Sequence, residues 1–323
     1  MIEIDKVLNT ILNESIELPK ILVQGLTNNS SKVKKGYIFF AFKGENNDGN
    51  DFIEDAFKNG ACLAITDSNK LESQENVVKV EDVRIAAGIA CSNFYNFPQN
   101  KVKLIGITGT NGKTSTSTIL KSILDAKNEK TIQIGTSGIK PTIEINPGLT
   151  TPDIFDLYEI LNYAVNENYK NVILEVSSHA LSQRRIENIF FDITAFTNLT
   201  HDHLDYHETM DEYFSEKLKL FNLNKDNGSS VVMIDDEYGK RIAELNSNVK
   251  CISLKNEDAD YFCTSYSINS LGLAGTLAWD SETLDFESKL IGSFNLENLI
   301  LAASIAIELN ISAQSIAKGI ENC

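Results

Sequence analysis

From residue 101 onward the hydrophobic positions follow two alternating rhythms. Short apolar runs at 102–108, 171–176 and 192–197 have the length and β-branched content of buried strands. Between them, apolar residues recur three and four apart, the spacing of one helix face. The pattern predicts strands over 103–108, 131–134, 171–176, 192–197, 229–234 and 250–253. It predicts helices over 113–127, 153–168, 209–221 and 236–246. Alternation of apolar strands with helices implies a mostly parallel, doubly wound sheet. The rhythm is lost over 261–291, where short antiparallel strands are expected around Trp279. Helices over 294–309 and 312–321 follow.

Residues 1–97 read as a smaller α/β unit. It has strands over 37–42 and 61–66 and helices over 51–59 and 83–94. In the first helix Phe52, Ile53, Ala56 and Phe57 share a face. The segment Asn96-Phe-Pro-Gln-Asn100 breaks the pattern and places a domain boundary there. The expected division is 1–98 and 99–323. The fold class is α/β: a small N-terminal domain, then a central phosphate-loop domain with a small antiparallel extension.

Size and charge narrow the picture. A chain of 323 residues exceeds one ordinary core. No run approaches the ~18 apolar residues of a membrane helix. The start, Met1-Ile-Glu-Ile-Asp5, is acidic and lacks a signal-peptide core. A net charge of −16 excludes non-specific nucleic-acid binding, which needs a basic face. Cys62, Cys91, Cys251, Cys263 and Cys323 are scattered, without Cys-x-x-Cys spacing. That suits reduced thiols better than a disulfide frame or a zinc site. The expectation is a cytoplasmic monomer with no membrane or nucleic-acid partner.

The strongest chemical signal is Gly106-Ile-Thr-Gly-Thr-Asn-Gly-Lys-Thr114, between a predicted strand and a predicted helix. Glycines let backbone N–H groups curl around an anion, and a helix N-terminus adds its own amides and positive dipole end. Lys113 is placed to reach the β/γ-phosphates, and the Thr114 hydroxyl to ligate Mg²⁺. The usual pattern wants glycine five residues before Gly112, where Ile107 stands. The plainer alternative is a glycine turn with a surface lysine.

All four histidines fall between 179 and 207. His179 follows Glu175-Val-Ser-Ser178 at one strand end, and His201, His203 and His207 follow the strand ending at Thr197. Ligands of open α/β sheets bind outside the carboxyl ends of strands, so both clusters share a rim with the phosphate loop. Glu175 closes an apolar strand and reads either as a Mg²⁺ ligand or as a solvated carboxylate. The His-x-His pair would also suit zinc, but no thiol or further imidazole has matching spacing, which favours magnesium. Lys217 lies among Tyr213, Phe214, Leu218 and Phe221 and reads by itself as a snorkelling surface lysine. In Gly148-Leu-Thr-Thr-Pro-Asp153, Thr150 or Thr151 reads as a helix cap with Pro152 in the first turn.

Taken in order, these segments resemble the Mur ligases, and within them the type that adds the third amino acid of the peptidoglycan peptide. The matching motifs are the phosphate loop, Leu149-Thr-Thr-Pro152, Glu175-Val-Ser-Ser-His-Ala-Leu181 with Gln183 and Arg185, Thr197-Asn-Leu-Thr-His-Asp-His-Leu-Asp-Tyr-His207, Lys217, and Gly292-Ser-Phe-Asn-Leu-Glu-Asn298. The family's own loop has this glycine spacing, so the departure above follows the family.

The resemblance implies an ATP- and Mg²⁺-dependent acid–amino acid ligase acting on UDP-MurNAc-L-Ala-D-Glu and a diamino acid. ATP would phosphorylate the D-glutamate carboxylate, and the incoming amine would displace phosphate. Gly109, Thr110, Asn111, Gly112, Lys113, Thr114 and Ser115 would cradle the nucleotide, with Asn295 at the adenine. Thr114 and Glu175 would hold one Mg²⁺, and His203 and a carbamylated Lys217 the other. Lys113, Lys217 and His203 would be the catalytic residues. Thr150, Thr151, Ser177, Gln183 and Arg185 would grip the muramoyl-dipeptide. Ser30, Glu45, Asn46 and Asn47 would grip the UDP end.

Two departures stand out. The family's Asp-Ser-Arg is here Asn29-Ser30-Ser31. The family's C-terminal Rossmann-like domain, which reads the incoming amino acid, is expected to be missing from residues 1–323. The chain is therefore expected to ligate little by itself, and L-lysine and meso-diaminopimelate both stay open. Another ligase of the superfamily, such as a folylpolyglutamate-type enzyme, and a non-catalytic nucleotide-binding module are the competing readings.

Overall fold

The computed structural model describes residues 1–11, 20–44, 47–69, 75–145, 148–201 and 209–323. The chain divides into two compact units. The first comprises Met1–Lys101, Pro152–Asn162 and Arg184–Ile189, and the second the remainder.

In the first unit, β1 (Ile2–Glu3) pairs antiparallel with β2 (Leu22–Val23), and α1 (Ile4–Val7) follows β1. Strands β3 (Gly25–Thr27), β4 (Tyr37–Phe40), β5 (Ala61–Thr66) and β6 (Val77–Lys79) form a parallel sheet in that order. The near-continuous apolar runs of β4 and β5 are what a parallel strand covered on both faces requires. Phe39, Ala41 and Ala64 pack with Ile53 and Ala56 of α2 (Ile53–Lys58). Helix α3 (Val83–Phe94) starts at Asp82, whose carboxylate accepts the Arg84 and Ile85 N–H groups.

The second unit carries one ten-stranded sheet. Its strands are β7 (Lys103–Thr108), β8 (Thr131–Gly135), β9 (Gly138–Lys140), β10 (Asn171–Glu175), β11 (Phe191–Phe196), β12 (Asn224–Met233), β13 (Val249–Ser253), β14 (Tyr261–Asn269), β15 (Gly272–Trp279) and β16 (Glu282–Ser288). Their order is β16-β15-β14-β13-β12-β11-β7-β10-β8-β9. Strands β8, β10, β7, β11, β12, β13 and β14 pair in parallel, whereas β15, β16 and β9 are antiparallel to their neighbours. The mixed α/β architecture agrees with the sequence pattern, and the antiparallel extension continues the main sheet.

The helices after α3 are α4 (Lys113–Ala126), α5 (Ile154–Asn166), most of which belongs to the first unit, α6 (Ser178–Ser182), α7 (Met210–Leu218), α8 (Glu237–Leu245), α9 (Ser293–Glu308) and α10 (Ala313–Glu321). Ile105 and Ile107 of β7 bury against Ile119, Leu120, Ile123 and Leu124 of α4, and Leu299 and Ile316 of α9 and α10 belong to the same cluster. A Cβ on Gly319 would stand 2.3 Å from the Ile123 Cα, so α10 lies against α4 only because that position has no side chain.

Some boundaries differ from the sequence pattern. The helix expected over 209–221 ends at Leu218, and Lys219–Leu223 tightens into a 3-10 helix. The strand expected over 229–234 begins at Asn224. The run expected over 37–42 stops at Phe40.

Candidate nucleotide and metal site

Register places the site. Ile105 of β7 stands opposite Ile173 of β10 and Ile193 of β11, so the three strands end level. The Val176 and Thr197 N–H groups then bond back to the Ile107 and Thr108 carbonyls. Thr108, Glu175 and Thr197 thus reach one rim, where ligands of such sheets bind.

The chain turns between Thr108 and Lys113 and enters α4 at once. Gly112 caps that helix at φ +86, and a Cβ there would fall 2.2 Å from Asn298 Oδ1. The first-turn amides of α4 have no carbonyl one turn back, which makes this end an anion cradle. The turn is tied down from below. Thr197 Oγ1 donates to the Asn111 carbonyl at 2.6 Å, and the Asn111 N–H donates to Asn198 Oδ1 at 3.0 Å. Thr110 Oγ1 lies 3.2 Å from the Tyr213 hydroxyl. Ser115 is half-buried in the first turn of α4.

Two lysines converge on one carbonyl oxygen. Lys113 Nζ donates to Gly109 O at 2.8 Å and to Thr110 O at 2.9 Å. Lys217 Nζ donates to the same Gly109 O at 2.9 Å. The two nitrogens can be no farther apart than these bonds laid end to end. Two unit charges ~5 Å apart repel by about 3 kcal/mol at an effective dielectric near ~20.

The reading of Lys217 as a snorkelling surface side chain is wrong. Lys217 is 1% exposed, and its Nζ lies 4.4 Å from the centroid of the Tyr213 ring. Tyr213 is four residues earlier on the same buried face of α7, where helical spacing brings the two together.

Glu175 is not a solvated strand end either. It is 0% exposed. Its Oε2 accepts Thr114 Oγ1 at 2.8 Å, Thr136 Oγ1 at 3.0 Å and the Thr136 N–H at 3.4 Å. Its Oε1 accepts Ser117 Oγ at 3.3 Å. These partners are hydroxyls and one amide, and none is a cation. A buried carboxylate with only neutral partners lacks countercharge, which is costly. A divalent cation held by Thr114 and Glu175 supplies it, so the donor set suits the metal that the sequence implies. Among the described residues no group of three His, Cys, Asp or Glu side chains is arranged to hold a metal. His203 lies outside the described residues, as do Glu45 and Asn46. His201 is exposed, and His179 sits in the short helix α6.

The Leu-Thr-Thr-Pro segment is wired differently from a simple cap. Asp153 caps α5, accepting the Phe155 and Asp156 N–H groups at 2.9 and 3.0 Å. Thr151 turns instead to the β10 end, donating to the Glu175 carbonyl at 2.8 Å and accepting the Ser177 N–H at 3.0 Å. Its hydroxyl is thus occupied, and the Asp153 carboxylate two residues on takes the helix amides. Thr150 Oγ1 lies 3.3 Å from Thr136 Oγ1. Ser177 caps α6, and Gln183 closes it with an N–H bond to the His179 carbonyl at 2.8 Å. Asn295 is half-buried, and its amide donates to the Ile291 carbonyl at 2.8 Å.

Ser30, Asn47 and Arg185 belong to the first unit. The Ser30 carbonyl accepts Asn59 Nδ2 at 2.9 Å, and the Asn47 carbonyl accepts the Gly44 N–H at 2.9 Å. Nearby, Arg184 bridges Asp82 at 2.6 Å and Glu187 at 2.8 Å. Burial, then the charges of Arg184 and Arg185, hold the Arg84 guanidinium below its ordinary value. Burial works to raise the Asp82 carboxyl, but the Ile85 N–H and the Arg184 guanidinium outweigh it and hold Asp82 below the usual range.

Sequence reasoning missed Thr136, Ser117, Asn298 and Tyr213 as parts of the site. Two of them had a signal: Thr136 follows β8 onto the same rim, and Ser117 follows Thr114 by one helical turn. No helix among the described residues is long and apolar enough to cross a membrane.

Comparison with known proteins matches this layout. The Mur ligase middle domain matches residues 107–306, and the Mur ligase family catalytic domain matches residues 22–95. A UDP-N-acetylmuramoyl-L-alanyl-D-glutamate--2,6-diaminopimelate ligase of Fusobacterium nucleatum is 39% identical over 307 residues, covering 92% of this chain and 61% of the relative. The ligase of the same name from Caldanaerobacter subterraneus is 38% identical over 312 residues, covering 94% and 63%. A solved structure of a ligase of that name superposes with a TM-score of 0.86 at 26% identity, covering 100% of this chain and 66% of its own. The chain thus spans less than two thirds of the length of each.

Proposed function

The chain belongs to the Mur ligase family, and on that premise we propose that it serves an ATP-dependent acid–amino acid ligase of peptidoglycan precursor synthesis, in the cytoplasm. The substrates would be UDP-MurNAc-L-Ala-D-Glu and a diamino acid. The names of the relatives favour 2,6-diaminopimelate as that amine. The observation that carries the reading is the paired burial at the loop: two lysines on the Gly109 carbonyl beside a carboxylate with only neutral partners. Such a carboxylate is short of a cation, and the first-turn amides of α4 form an anion cradle. A metal–nucleotide complex supplies both.

The residues divide the work. Lys113 and the first-turn amides of α4 bind the terminal phosphates, and the Gly109 carbonyl holds the Lys113 ammonium in place beforehand. Such preorganised charge is the largest contribution available to phosphoryl transfer. Thr114 and Glu175 would hold a Mg²⁺ ion, which when bound offsets charge on the transferring phosphoryl group. The D-glutamate carboxylate attacks the γ-phosphorus, ADP leaves, and the acyl phosphate then yields to the amine with release of phosphate. Lys217 would act as a carbamate: its ammonium loses a proton, the neutral amine adds CO₂ and a second proton leaves, so that a positive charge gives way to a negative one. His203 would be its companion. Asn295 would meet the adenine. Thr150, Thr151, Ser177 and Gln183 would contact the muramoyl-dipeptide. Ser30, Glu45, Asn46 and Asn47 would contact the UDP end.

The test supplies ATP, Mg²⁺ and UDP-MurNAc-L-Ala-D-Glu, with hydroxylamine in place of the amino acid to trap the acyl phosphate. A hydroxamate that needs all components supports the reading, and parallel reactions with diaminopimelate and L-lysine assign the amine. ATP turnover indifferent to the muramoyl-dipeptide would contradict it.

A further inference from the structure

Gln133 stands in the middle of β8, between Ile132 and Ile134, and is 1% exposed. A glutamine is an expensive side chain at such a position unless its amide is fully paired. It is not. Its Nε2 donates to Ser117 Oγ at 2.8 Å and to Thr118 Oγ1 at 3.1 Å. Its Oε1 is buried and has no partner among the described residues. A leucine or methionine there would avoid that cost. Something other than stability holds the amide at this place.

Ser117 explains what the amide does. This serine is 0% exposed and lies between Gln133 and Glu175. Its hydroxyl has one proton. Because Gln133 donates to the oxygen, the proton must go elsewhere, and the acceptors in reach are the Thr114 carbonyl at 3.0 Å and Glu175 Oε1 at 3.3 Å. Both belong to the proposed metal site. Glu175 is held unevenly: Oε2 has Thr114 and Thr136, whereas among the described residues Ser117 is the sole donor to Oε1. The orientation of the amide is consistent on chemical grounds. Turned over, it would accept from Ser117, draw the proton away from Glu175 and leave two N–H groups without acceptors.

We propose that Gln133 is a positioning residue of the nucleotide–metal site, fixing Ser117 as a donor and so holding the Glu175 carboxylate in the orientation that receives a divalent cation. The proposal rests on the reading of Thr114 and Glu175 as the metal-holding pair. Outer partners of metal ligands commonly govern affinity by about 10–100-fold.

The experiment measures ATP binding by calorimetry across a Mg²⁺ titration, with denaturant unfolding of the metal-free chain alongside. Gln133→Met keeps the length and removes the amide. It is expected to unfold at the same denaturant concentration as the wild type or a higher one, yet to need about 10-fold more Mg²⁺ for half-maximal nucleotide binding. ATP affinity in EDTA should not change. Ser117→Ala should show the same Mg²⁺ shift, and the double variant should be no worse than either single one, because one residue acts through the other. An unchanged Mg²⁺ midpoint in Gln133→Met, or additive losses in the double variant, would overturn the positioning role alone. A wild-type chain whose ATP binding ignores Mg²⁺ would overturn the metal-site reading and this proposal with it.

Discussion

The second unit buries its side chains in two opposite ways. Beneath β7, Ile105 and Ile107 pack against Leu120, Ile123 and Leu124 in a layer without a polar atom among those side chains. At the carboxyl end of the same strand, Glu175 and Lys217 are buried just as deeply, at 0% and 1% exposure, and both can carry charge. The apolar layer is complete as it stands, since burial itself stabilises it. The rim is incomplete at Glu175, since neutral hydroxyls and an amide only partly replace the water its carboxylate gave up. The difference teaches where stability and where function reside. Losses in the layer should unfold the chain, and losses at the rim should spare the fold and abolish ligand binding.

The largest effect should come from the layer. Ile123→Ala is expected to cost about 2–5 kcal/mol, from lost transfer energy and the cavity left behind. Denaturant unfolding measures it, and nucleotide affinity of the remaining folded protein should hold. Gly319→Ala sharpens the same side of the comparison by adding an atom where Ile123 leaves no room. About 1–3 kcal/mol is expected for that overpacking.

At the rim the sign changes. Glu175→Gln should alter metal-free stability by less than about 1 kcal/mol, or raise it, because it removes a buried charge that has no cation. The same variant should lose the Mg²⁺ dependence of nucleotide binding. A loss of stability as large as that of Ile123→Ala would show that the carboxylate is structural and would erase the contrast.

The smallest effect belongs to the first unit. Asp82 has its carboxyl held below the usual range, with Arg184 at 2.6 Å. A depressed folded value means stability that is present above the unfolded pKa of about 3.9 and is lost as pH falls through the folded value. Both side chains are about a third exposed, so solvent screens the pair and the step should be slight. Comparing unfolding of Arg184→Met with the wild type between about pH 5 and pH 2 checks it. The acid-side loss should be smaller in the variant.

Much of this was legible in the sequence because it is local. Strand β7 and helix α4 follow from the apolar run and the glycine turn between them. The fate of Glu175 and Lys217 was not legible. Burial of either depends on which side chains arrive from elsewhere in the chain: Thr114 and Thr136 for Glu175, and the Gly109 carbonyl, more than a hundred residues away, for Lys217. Periodicity reports which face of a helix is buried, and Lys217 shares that face with Tyr213, but composition favours reading any lysine as solvated. Ser117 and Gln133 were hidden for the same reason. Polar residues inside apolar patterns look like errors until their partners are known.

The central claim is that the charged rim is one half of a metal–nucleotide site. Calorimetric titration of ATP into the wild type and Lys113→Ala, each with and without Mg²⁺, tests it most directly. The account predicts saturable binding that tightens with Mg²⁺ in the wild type. It predicts a loss of about 10–100-fold in Lys113→Ala, the worth of a hydrogen bond to a charged group, with unfolding unchanged. Equal affinity in the two proteins, or affinity indifferent to Mg²⁺, would contradict it.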